Sequence, residues 1–136
     1  MRTRLQFLMF SLSGAIGLLV DLSALYIASM FMNLYSSRLV SFLAAVFSTW
    51  LLNRTLTFKI KGPIKLSDKE QTKRLLFEFF HYFIANLSGG LVNLVVYSIY
   101  VSYNIETTDR YIATCLGSLS GLLFNFTLSK FIVFRK

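Results

Sequence analysis

The chain has 136 residues, of which 55% are hydrophobic and 16% aromatic while only 15% are charged. That balance is too apolar for an ordinary soluble domain of this length and points to a membrane protein. Lys and Arg outnumber Asp and Glu by 14 to 6, a net charge of +8. The basic residues are dispersed along the chain without a recognition module, which argues against nucleic acid as a partner.

The first apolar stretch, residues 5–32, follows Arg2 and Arg4. A cleaved signal peptide begins in the same way, but this run is longer than a usual signal core. Its small and polar residues Ser13, Gly17 and Asp21 step by four and so share one helix face. Asp21 is the sole acid well inside a predicted span, and at about 1.5 Å per residue it falls past the midplane. An acid at such depth costs about 2.5 to 3.5 kcal/mol, so it is expected to be protonated, paired or turned toward a wet cavity.

Arg38 is assigned to the short loop that follows, and residues 39–58 form the second stretch. Here Ser41, Ala45 and Thr49 repeat the four-residue step and lead to Asn53, Arg54 and the closing Phe58. The polar linker 59–75 opens on Gly62-Pro63, which reads as a turn, and continues with a mixed run that suits a short surface helix.

The third stretch, residues 76–103, carries Ala85, Gly89 and Asn93 on one stripe, with His81 near its start. A lone histidine there is expected to be an interfacial hydrogen-bonder. A second short loop holds Glu106, Asp109 and Arg110 before the fourth stretch, residues 111–134. That stretch carries Gly117, Gly121 and Asn125, then Lys130 and a closing Phe134. Cys115 has no disulfide partner and no metal-ligand spacing, and is expected to pack between helices.

The second half thus answers the first. Each stretch is long enough for a helix to cross a hydrocarbon core that needs about 20 residues. The predicted fold is an all-α membrane protein of four transmembrane helices, built as two parallel-oriented helical-hairpin repeats, 5–58 and 76–134, joined by the linker 59–75. Twelve of the 14 basic residues sit at the two ends of the chain or in and beside the linker. By the positive-inside rule these segments face the cytoplasm.

No enzyme constellation, metal cluster or phosphate-binding glycine loop is present in the pattern, and no cofactor is expected. The chemistry left is that of polar groups within apolar helices. Arg54 and Lys130, at matching ends of helices two and four, suit a phosphate, the guanidinium as a two-pronged donor and the ammonium as a point charge. Asp21, Asn93, Thr49, Asn125 and Asn53 are candidates for a polar path, with Thr49 and Asn125 as hydrogen-bonders between helices. Trp50 and Phe126 are candidates for contact with an acyl chain or sugar, the commoner role of such aromatics being anchorage at the bilayer surface. The small-residue stripes, above all Gly117 to Gly121, are candidate interfaces of a homo-oligomer.

GLLVDL at 17–22, WLLNRTLTF at 50–58 and NFTLSKFIVF at 125–134, with the doubled ending NF-x-x-x-[RK]-x-x-x-F, resemble the GtrA-like family of bacterial membrane proteins. The likeness covers nearly the whole chain. It implies a role in cell-surface polysaccharide synthesis, as a flippase that moves a polyprenyl-phosphate-linked sugar across the cytoplasmic membrane beside membrane glycosyltransferases. Thr49 and Trp50 depart from the Asn-Phe usual in the family. A scaffold that recruits a glycosyltransferase, or an exporter of the small multidrug type, would use the same four helices. The twelve-to-two charge bias argues against the dual topology of the latter.

Overall fold

The computed structural model describes residues 3–60, 69–103 and 107–135. Four long helices make up most of the described residues: α1 (Thr3–Ser29), α2 (Leu34–Leu52), α3 (Lys69–Tyr103) and α4 (Thr107–Leu128). α2 and α4 each run on into a single wide turn of π-helix, Asn53–Thr57 and Ser129–Val133. The described residues contain no strand. All four helices are long and apolar enough to cross a membrane, with mean hydropathy of 1.4 to 1.8 in their most apolar windows.

The helix starts differ from the sequence expectation, for local reasons. α2 begins at Leu34 because Asn33 caps it, its Oδ1 accepting the Ser36 N–H at 3.0 Å. Arg38 therefore lies inside a helix, not in a loop. Arg110 likewise falls within the first turn of α4. The expected surface helix after the linker is, from Lys69 onward, the start of α3 itself. No Gly or Pro interrupts the chain there, and Glu70, in the first turn, pairs with Lys73 at 3.2 Å. The turn expected at Gly62-Pro63 lies outside the described residues.

The chain divides within α3 into two compact units, Met1–Leu75 and Leu76–Lys136. In the first, α1 packs along α2 and its π turn. Gly17 faces the Thr49 methyl group so closely that a Cβ would collide with it. Phe10 meets Phe58 edge-on, ring centroids 6.4 Å apart. The second unit repeats these contacts at the answering positions. Gly89 lies under the Asn125 amide, and Tyr82 meets Phe134 at 5.7 Å.

Each core combines small or polar side chains with a few aromatic rings, among them Phe10, Trp50 and Phe58 in the first unit and Tyr82, Phe126 and Phe134 in the second. Ser13, Ser37 and Ser41 are buried in one unit; Ala85, Ala113 and Ser129 are buried in the other. Large apolar residues such as Leu8, Leu19, Leu91 and Leu94 point outward. In water such a distribution would be unstable, whereas in lipid outward leucines meet a solvent as apolar as themselves and helices associate by close backbone approach. The buried hydroxyl groups of the first unit are satisfied by folding back on their own helix, as Ser13 does to the Met9 carbonyl at 2.9 Å, Ser37 to the Asn33 carbonyl at 2.9 Å and Ser41 to the Arg38 carbonyl at 3.1 Å.

Candidate functional site

Arg54 is presented by the π turn that ends α2. The turn is defined by the Phe58 N–H reaching the Asn53 carbonyl at 2.8 Å, one residue wider than an α-helical bond. Inside it the Thr57 hydroxyl donates to Asn53 Oδ1 at 2.8 Å, and both side chains are 1% exposed. Asn53 is thus a fixed strut of the turn. Widening the turn brings Asn53 and Arg54, then Thr57 and Phe58, inside as adjacent pairs. Arg54 is 9% exposed and its Nε is buried. The guanidinium is thus held within the helical packing rather than extended to the surface.

Lys130 occupies the equivalent place in the second π turn, closed by the Phe134 N–H on the Ser129 carbonyl at 2.8 Å. Its ammonium lies 5.3 Å from the Phe131 ring centre and 5.8 Å from that of Phe126, in reach of both ring faces. Each unit therefore carries one cation on a π turn. Such turns are rare and concentrate at functional places.

The aromatic residues Trp50 and Phe126 are 5% and 8% exposed, buried within their units. Trp50 packs on Phe47, with ring centres 5.6 Å apart. Thr49 is corrected, since its hydroxyl donates within its own helix, to the carbonyls of Ala45 at 2.9 Å and Val46 at 3.0 Å. Only its methyl group crosses to α1.

Asn93 and Asn125 behave differently. Asn93 packs over Gly117, and Asn125 over Gly89. Asn125 Oδ1 is buried without a hydrogen-bond partner among the described residues, a state worth about 1 to 3 kcal/mol of lost stability. Gly121 presses on the Gly89 carbonyl, so the Gly117 to Gly121 stripe is spent inside the second unit rather than left as an interface between copies.

At the other end of α2, Arg38 Nη1 donates to Asp21 Oδ2 at 2.6 Å and to Ser41 Oγ at 3.4 Å. Asp21 is therefore paired. The missed signal was Asn33: a helix capped there carries Arg38 one turn inward, where α1 brings Asp21. The second repeat has Asn93 in place of the acid.

His81 Nδ1 lies 2.8 Å from the Phe77 carbonyl, as expected of a hydrogen-bonded interfacial residue. Cys115 is exposed rather than packed between helices. No group of three metal-ligating side chains occurs among the described residues.

These matched hairpins have a match among known families. The family model for the GtrA/DPMS transmembrane domain fits residues 9–134, from the second turn of α1 to the closing Phe134. The chain belongs to the GtrA/DPMS transmembrane-domain family. Comparison with curated proteins gave no match. With four spanning helices and a GtrA/DPMS domain over nearly its whole length, the chain is a multi-pass membrane protein.

Proposed function

We propose that the protein carries a polyprenyl-phosphate-linked sugar between the leaflets of a bacterial cytoplasmic membrane, with both termini in the cytoplasm. It does so without covalent chemistry, between glycosyltransferases that load and use the lipid. The observation that supports this most is the cation on each π turn: Arg54, held inside an apolar hairpin, and Lys130, at the same place in the repeat. GtrA/DPMS membership adds that the chain takes part in lipid-linked sugar processes.

The division of labour follows from solvation. A phosphate and a sugar cannot cross bare hydrocarbon without replacing their water contacts, whereas a polyprenyl tail can remain in lipid. Arg54 in the first unit and Lys130 in the second are each a charge-assisted donor suited to a lipid phosphate. The amides of Asn93 and Asn125, on the facing sides of α3 and α4, offer donors and acceptors for hydroxyl groups. Asp21, Thr49 and Asn53 act through the packing of the first hairpin, while Trp50 and Phe126, each in its own hairpin, offer an aromatic face to an acyl chain or sugar.

The test is a leaflet-specific assay of labelled polyprenyl-phosphate sugar in proteoliposomes containing only this protein. Hydrogen bonds to charged groups contribute about 1.5 to 3 kcal/mol, so Arg54→Ala and Lys130→Ala are each expected to lower transport about 10- to 100-fold. The double variant should be lower than either. Wild-type protein that moves no lipid, yet captures a glycosyltransferase, would replace transport by a scaffold role.

A further inference from the structure

Arg38 and Asp21 form a charged pair of unequal exposure. The acid's side chain is 13% exposed and the arginine's 57%. The contact uses Nη1 alone, which also reaches Ser41. The Nε and Nη2 donors, a complete two-pronged edge of the guanidinium, have no partner among the described residues. Asp21 Oδ1, on the buried side, is also unpartnered. The acid thus holds the arginine at one nitrogen, and the rest of a largely exposed side chain is left without a protein partner among the described residues.

Arg38 and Arg54 lie on the same helix, 16 residues apart in sequence, which is about 24 Å at 1.5 Å per residue. One phosphate cannot touch both. A hydrocarbon core is about 30 Å thick, so the two arginines stand near opposite faces of the membrane.

We propose that Arg38, positioned by Asp21, is a second lipid-phosphate site, at the end of the first hairpin opposite Arg54. This rests on the transport reading, in which a phosphate leaving one leaflet needs a receiver in the other. The free Nε–Nη2 edge matches two oxygens of a phosphate. Asp21, already touching the same guanidinium, repels the incoming anion and keeps the grip weak. A receiver that must also release its lipid needs that weakness.

The experiment counts bound polyprenyl phosphate on the purified full chain by native mass spectrometry, in an Arg54→Ala/Lys130→Ala background that leaves only this site. One lipid is expected to remain bound. Adding Arg38→Gln should weaken it at least tenfold, and Arg38→Lys should weaken it less, since charge stays while the fork is lost. Asp21→Asn keeps an oxygen for Nη1 but removes the repelling charge, so binding should tighten severalfold. A purely structural ion pair predicts no such gain. Melting temperatures of each variant separate misfolding from lost binding, and Arg38→Lys keeps the test open if Arg38→Gln does not fold.

Unchanged binding in Arg38→Gln, or in Asp21→Asn, would overturn the proposal. So would displacement of the lipid by an equal concentration of inorganic phosphate, because the site would then be one for free anion. If the background variant binds nothing while wild type binds one lipid, this inference fails and the transport reading stands. If wild type binds none, the transport reading itself fails.

Discussion

Lys59 shows how a single residue closes the first repeat. It is the one non-glycine residue with positive φ among those described, at 50°. The chain turns there after Phe58, and the Ile60 N–H returns to the Arg54 carbonyl at 2.9 Å, capping the widened turn. A side chain in this left-handed conformation costs roughly 1 to 2 kcal/mol, which glycine avoids. Lys59→Gly is accordingly expected to stabilise the protein by about 0.5 to 1 kcal/mol, and Lys59→Val to destabilise it by more than that. Thermal unfolding in detergent checks both signs. A drop in melting temperature for the glycine variant would mean that the lysine side chain, rather than the backbone, holds this end. No sequence signal marked the conformation, because Lys-Ile-Lys is not a turn motif and the strain is imposed by the π turn before it.

Between helices, the glycines separate into two kinds that sequence alone treats alike. A Cβ on Gly121 would sit 2.7 Å from the Gly89 carbonyl oxygen, a backbone atom that cannot swing aside. Gly14 and Gly90 face open space. Gly121→Ala should therefore force α3 and α4 apart and destabilise the hairpin by about 2 kcal/mol or more, in the range of overpacked cores. Gly14→Ala and Gly90→Ala should be neutral or stabilising by up to about 1 kcal/mol, as expected where only helix propensity changes. Unfolding measurements on the three variants decide it, and equal effects would remove the close-approach argument. The four-residue spacing of Gly17, Gly89, Gly117 and Gly121 made the packing faces legible, since that period is dictated by the helix itself. The π turns left a fainter trace. The step from Thr49 to Arg54 is five where the preceding steps are four, and the step from Asn125 to Lys130 repeats it. A single step of five looks like drift; only its recurrence at the answering place identifies an inserted residue. Contacts between distant positions, such as Asp21 with Arg38, depend on the register of two helices, which Asn33 sets and hydropathy does not.

For the molecule as a whole, orientation is a separate matter from fold, because the same hairpins would pack equally well either way up. Charge decides it. Lys and Arg near the ends of spanning helices are held on the cytoplasmic side, and here twelve flank the ends and linker while Arg38 and Arg110 alone stand on the other side. The chain is therefore expected to insert in one orientation, with the 59–75 linker inside the cell. Single cysteines at Lys65 and at Asp109 test this in a Cys115→Ser background, which is needed because Cys115 is itself exposed. In intact cells an impermeant thiol reagent should label the Asp109→Cys variant and spare Lys65→Cys until the membrane is opened. Labelling of both from outside would mean two populations of opposite orientation. The proposed phosphate site at Arg54 and the proposed receiver at Arg38 would then exchange leaflets between molecules, and a directional carrier could not be built from this chain alone.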